Sequence, residues 1–247
     1  MIQRTLISAL VCLAMVAQTA AAHPMKLKPH PVPSSSPESL QQILDGLVVS
    51  GPAIDAGAPQ NIQLWDNASG PMTANVVVDF TGRSQTAWFG MYPADNPKDR
   101  AFLLVDSMKP SDVASVAFLD DGSILIRGGI KPKSKAQGFD GPFGFFVKIS
   151  SKGDSPVFLF TESDLNGGTV RAKVFQGNGT TTLKFPGLQP GLFLENQFLI
   201  AFETGKDGGF NDFIVSVSGI VAAPEPALSC LLGLSLAALW ARRPRST

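Results

Sequence analysis

Histidine and cysteine are almost missing from this chain. Its 247 residues contain two of each. His23 and His30 fall in a Pro/Ser-rich leader, Cys12 in the first apolar run and Cys230 in the last. Residues 31–224 therefore have neither an imidazole nor a thiol. Ser-His-Asp and Cys-His hydrolases are excluded, because each needs a positioned imidazole. Zinc sites built from His and Cys are excluded too, and so is a disulfide framework. There is no glycine-rich phosphate loop, and "DGSILIRGG" is not a dinucleotide fingerprint because no strand-turn-helix unit surrounds it. Basic excess is also lacking. Four of the 20 basic residues (Arg4, Arg242, Arg243, Arg245) and one of the 20 acids (Glu225) lie in the end segments, leaving 16 basic against 19 acidic groups in between. A nucleic-acid partner, which requires a basic face to displace counterions, is excluded on that balance.

What the chain does have begins at its ends. The opening "MIQRTLISALVCLAMVAQTAAA" sets a basic Arg4 before an apolar core, Leu6 to Val16, and closes on Ala20-Ala21-Ala22. This is the layout of a secretory signal peptide over residues 1–22, and it implies the Sec translocon and signal peptidase as first partners. The apolar core is shorter than the roughly 20 residues a membrane span needs. The closing "PEPALSCLLGLSLAALWARRPRST" has no charge from Ala227 to Ala241. As a helix that run spans about 22 Å at ~1.5 Å per residue, against a hydrocarbon core of about 30 Å. It is expected to cross as a short transmembrane helix in a thinned bilayer, or with help from "GIVAA" at 219–223. Pro224 and Pro226 interrupt any helix running back into the domain. Arg242, Arg243 and Arg245 hold the far end on the cytoplasmic side.

Pro224-Glu225-Pro226, the apolar run and the arginine cluster together resemble the PEP-CTERM sorting signal of bacteria. The resemblance implies a precursor held transiently in the inner membrane. An exosortase, a membrane transpeptidase, would then process it near the Pro-Glu-Pro and deliver it to the cell surface or extracellular matrix, often alongside exopolysaccharide. Glu225 and its two prolines would then be a handle for another enzyme.

Between the ends, residues 23–36 ("HPMKLKPHPVPSSS") read as an extended linker, with His23 and His30 as solvated bystanders. Ser36 as a cap, Pro37 at the first helical position and the stripe Leu40, Ile43, Leu44, Leu47 predict one amphipathic helix over 37–46. From residue 61 the rhythm changes to a dozen short segments rich in Val, Phe, Ile and Thr, among them "QTAWFGMY", "FGFFVKI", "FLIAFET" and "DFIVSVSG". In the last of these Phe213, Val215 and Val217 alternate with Ser216 and Ser218, the period of a half-buried strand. Asp120-Asp121-Gly122 marks a tight hairpin. The expected fold is all-β: an antiparallel β-sandwich, jelly-roll-like, over residues 37–223, with one short N-terminal helix.

Catalysis would have to come from carboxylates. Asp79, Asp106, Glu162, Asp164, Glu195, Glu203, Asp207 and Asp212 are available for a glycosidase pair, but no spacing selects two of them. Glu203, Asp207, Asn211 and Asp212 bring hard oxygen ligands to one hairpin end, as a calcium site does; the same residues also suit a turn capped by its own side chains. Calcium is the one cofactor this pattern admits. Trp65, Trp88 and Tyr92 are candidates to stack on sugars, or else core residues.

The stretch "FETGKDGGFNDF" resembles an uncharacterised bacterial surface β-domain whose signature runs F-E-D, a glycine-rich loop, then D-x-D-[FY]-N-D. Phe202 and Glu203 match its start, and Asp207, Phe210, Asn211 and Asp212 its end. Thr204 and Gly209 stand where that family has acids, which weakens a cation site. The segments "FGFFVKISSKGDSPVFLFTESDLN" and "WFGMYPADNP" are similar to its upstream strands. These readings lead to an exported, non-enzymatic surface or matrix protein that binds or organises polysaccharide. The alternatives are a calcium-dependent adhesin or carbohydrate-binding module, and, from a different class, a two-carboxylate glycoside hydrolase.

Overall fold

The computed structural model describes residues 38–79, 85–105, 113–129, 133–151 and 153–224. The signal peptide, the linker, Glu225 and Pro226, the apolar tail and its arginines lie outside the described residues. Pro224 is exposed at the end of the last described segment.

The helix, α1 (Leu40–Leu47), starts later than Ser36-Pro37 suggests. Its cap is Ser39, whose hydroxyl accepts the Gln42 N–H, while the Gln42 side-chain oxygen accepts the Ser39 N–H at 2.8 Å. That reciprocal pair satisfies two amides at the helix start, which fixes the boundary there. Leu40, Ile43, Leu44 and Leu47 are all buried, as the stripe predicts.

The strands in chain order are β1 (Val48–Ser50), β2 (Trp65–Asn67), β3 (Met72–Asp79), β4 (Gln85–Pro93), β5 (Ala101–Val105), β6 (Val113–Phe118), β7 (Ile124–Gly128), β8 (Lys133–Ala136), β9 (Phe143–Ser151), β10 (Val157–Phe160), β11 (Ala172–Gln176), β12 (Thr182–Leu183), β13 (Gly191–Leu192), β14 (Gln197–Phe202), β15 (Phe213–Ser218) and β16 (Ile220–Ala222). A seven-stranded sheet runs β11-β14-β15-β3-β6-β7-β8, and a six-stranded sheet runs β16-β2-β9-β4-β5 with β10 also on β9. A small sheet β1-β12-β13 completes the set, and every pairing is antiparallel. The two large sheets face each other across one apolar layer, in which Trp65, Phe89, Phe145, Phe198, Phe202 and Phe213 are fully buried. Each such side chain contributes about 1.5–3 kcal/mol by leaving water.

Three local expectations meet the structure differently. The Asp120-Asp121-Gly122 hairpin joins β6 to β7; the Ser123 hydroxyl and then Lys135 hold the exposed Asp121 carboxyl down to about 2. Strand β15 is not half-buried: Phe213 through Val217 are all buried, Ser216 included. The reason is a second layer, because α1, Leu183 and Phe193 pack over Ile214, Leu199 and Val77 on the far side of the seven-stranded sheet. Finally, "GIVAA" cannot lengthen a membrane span. Ile220 to Ala222 pair with β2, and the Ala223 N–H donates to the Leu64 carbonyl. Ile220 is fully buried in the core, so moving this segment into lipid would cost both the pairing and the packing.

Candidate functional site

The hairpin end between β14 and β15 gathers the four oxygen-bearing residues singled out from the sequence. Asp212 works as a turn organiser: its Oδ2 accepts the Thr204 N–H at 2.8 Å, the Gly205 N–H at 2.9 Å and the Thr204 hydroxyl at 3.0 Å. Asp207 accepts the Gly209 N–H at 3.0 Å. The Asn211 amide donates to the Glu38 carbonyl, tying the loop to the approach of α1. Glu203 is different. It is 3% exposed, and its Oε2 accepts the N–H of Phe210, which sits in left-handed backbone at φ 52°. Its Oε1 is buried with no hydrogen-bond partner. Burial, followed by the charges of Asp212 and Asp207, pushes the Glu203 carboxyl above its usual range against the lowering effect of the Phe210 N–H. Among the described residues no three acidic, histidine or cysteine side chains stand close enough to enclose a metal ion.

A pH dependence follows. A carboxyl raised in the folded state keeps its proton there longer than in the unfolded chain, so its contribution is most favourable below the ordinary carboxylate range. That contribution is lost as pH rises through the folded value. Glu203→Gln keeps the acceptor for Phe210 and replaces the unpaired oxygen with an uncharged amide donor beside Asp207 and Asp212. With a chelator present, denaturant melts should show it equal to the parent at acid pH and more stable by about 1–3 kcal/mol at neutral pH. A parent that is the more stable at neutral pH would contradict this account.

The larger feature is the outer face of the six-stranded sheet. Strand alternation and register bring Trp88 opposite Lys148, Gly90 opposite Phe146, and Tyr92 opposite Gly144 across β4 and β9. On the flank, Phe158 pairs with Lys148 and Phe160 with Phe146. The two glycines let rings lie down on the sheet. A Cβ on Gly90 would stand 2.6 Å from Phe146 Cζ, and one on Gly144 would stand 2.3 Å from the Tyr92 ring and hydroxyl. The Phe102 and Phe146 rings meet edge to face at 5.3 Å, and Tyr92 and Phe160 at 5.2 Å. The Tyr92 hydroxyl donates to Glu162 Oε2 at 2.9 Å. Desolvation raises both the phenol and the Glu162 carboxyl. Asn166 binds Phe160 through both its N–H and C=O, which fixes the end of β10.

This face sorts the three aromatic candidates. Trp65 and Tyr92 are wholly buried, the first between the sheets and the second under its neighbours. Trp88 is half-buried on the outer face beside Phe102, which is 37% exposed, and half-buried Phe158. Phe102, Phe146, Phe158, Arg100 and Lys148 were not among the sequence candidates. The pair of glycines at alternating strand positions 90 and 144 was the available signal.

Of the eight carboxylates considered for catalysis, the Asp79 side chain and Asp106 lie outside the described residues, and Glu195 is exposed. A cavity of about 380 Å³ opens elsewhere, with Phe118, Phe139 and Phe143 beneath Asp66, Asp120 and Asp140. None of the six whose side chains are described lines it. Glu162 and Glu203, whose raised carboxyls have the property a general acid needs, are not among its lining residues either. Among the described residues no helix is long and apolar enough to cross a membrane. No family model, no curated protein and no solved structure matches this chain.

Proposed function

We propose that this chain is an exported, non-catalytic protein of the bacterial cell surface or extracellular matrix, and that its β-domain binds or organises polysaccharide. The observation that carries the reading is the outer aromatic face. Trp88, Phe102 and Phe158 offer ring surface to solvent at positions set by strand register, and the C–H faces of sugar rings pack against such rings. An open sheet face suits a polymer lying along it better than a small metabolite, which calls for an enclosing pocket. We take the sandwich as jelly-roll-like, since the chain passes between the two large sheets after β2, β3, β5, β8, β10 and β15. Delivery rests on the end segments: signal peptide, Pro-Glu-Pro, short membrane helix and arginines, processed by an exosortase.

The test has two arms on the same exported chain. In a polysaccharide-secreting host with an exosortase, the wild type should be recovered at the surface with its C-terminus near residue 225, and Pro226→Ala should accumulate as membrane-bound precursor. Wild type should co-sediment with the secreted polymer, and Trp88→Ala should reduce that binding about tenfold, as expected for one lost stacking contact. Equal processing of Pro226→Ala removes the sorting reading; undiminished binding by Trp88→Ala removes the platform.

A second reading, a calcium-dependent adhesin, draws on the unpaired Glu203 Oε1 alone, since Asp207 and Asp212 do not complete an enclosing site with it. On that reading calcium raises the melting temperature of the wild type by preferential binding to the folded state, and Glu203→Gln loses the response.

A further inference from the structure

The outer face carries two cations that have no ion-pair partner among the described residues. The Arg100 guanidinium lies 3.9 Å from the Phe158 ring centroid and 5.3 Å from that of Phe160. Lys148 Nζ stands 4.3 Å above Trp88 and 5.7 Å from Phe102. Among the described residues neither cation has a carboxylate within ion-pair distance; Lys135 and Asp121 form such a pair on the other sheet. Among the described residues, Glu162 is engaged by the Tyr92 hydroxyl and Asp99 by the Asn96 amide. Arg100 gives its Nε–H to the Pro97 carbonyl, and among the described residues both terminal nitrogens of the fork lack a protein acceptor. Among the described residues Lys135 is the one cation with an ion pair, so what sets Arg100 and Lys148 apart is that both stand over one cluster of rings.

We infer that the ligand of this face is an acidic polysaccharide, its rings stacked on Trp88 and Phe102 and its anionic groups bound by Arg100 and Lys148. The inference rests on the reading of this face as a sugar platform and adds the charge of the sugar. Ring stacking is indifferent to charge, so stacking alone binds neutral and acidic polymers alike. A guanidinium fork with free N–H donors selects carboxylate or sulfate by charge-assisted bonds, and a lysine adds a second point charge. The cation–π contacts hold both side chains above the rings and lower the entropy lost when an anion arrives.

The experiment compares polygalacturonate with its fully methyl-esterified form, which keeps the ring and removes the charge; dextran sulfate against dextran repeats the comparison with a different anion. The purified exported chain should bind at least one acidic polymer about tenfold more tightly than its neutral counterpart, with the advantage shrinking as salt rises. In Arg100→Gln/Lys148→Gln the ratio should fall toward one, and Lys148→Arg should retain it. The wild-type ratio needs no variant, so poor folding of the double variant leaves the test intact. Equal binding of charged and neutral forms overturns the inference and leaves the platform standing. Failure to bind any of the four polymers overturns both.

Discussion

Trp65→Ala is expected to cost the domain about 3–5 kcal/mol, the range for removing a large aromatic from a packed core. Trp65 is fully buried, with its ring centroid 5.0 Å from that of Phe145 and 5.9 Å from that of Phe198. It also sits at a junction of the six-stranded sheet, in register with Phe143 of β9 on one side and Ala222 of β16 on the other. Its indole N–H has no partner, so Trp65→Phe, which loses volume but also removes an unsatisfied donor, should cost less than half as much. Guanidinium melts with an unchanged slope would report both values. A loss below about 1 kcal/mol for the alanine variant would mean that the ring does not fill the space between the sheets.

Gly90→Ala should damage stability and binding together. The added Cβ would stand 2.3 Å from the Ala101 carbonyl oxygen on β5 and 2.6 Å from Phe146 Cζ. Backbone on one side and a buried ring on the other leave little room to yield, so overpacking should cost about 1–3 kcal/mol or more. The ring that gives way is Phe146, which underlies Phe102 and borders Arg100, so polymer binding should fall as well. Gly141→Ala is the matched control: a Cβ there meets nothing within 4 Å, and the variant should stay within about 0.5 kcal/mol of the parent. If both glycine variants behave alike, the rings do not lie where they are described.

Much of the architecture was legible because strands long enough to alternate reveal themselves. Each of the dozen apolar segments contains a strand, and the Asp-Asp-Gly turn joins the two it should. Four of the described strands were not legible, all of them short: β8 is "KSKA", β13 is two residues, β1 directly follows the helix and β16 reads with the apolar tail. Their pairing is set by what the chain brings alongside, and no local preference announces it. The helix start shifted for a related reason, since Ser36-Pro37 and Ser39 with Gln42 are both lawful openings and the reciprocal bond decides between them. At the candidate site the loop acids were visible, but their division of labour was not: which of Glu203, Asp207 and Asp212 organises the turn depends on where the backbone N–H groups point. The outer aromatic face was the least legible part. Phe102, Phe146 and Phe158 come from three strands, and only register places them on one surface.

The last strand fixes a distance. The Ala223 N–H is still bonded to Leu64 and Pro224 is already exposed, so about one residue of slack, on the order of 3–4 Å, separates the folded edge from the tripeptide. A processing enzyme acting at that tripeptide would have to accept the folded body pressed against its own rim. On the proposed sorting route, the described residues give the body no tether of its own beyond Ala223.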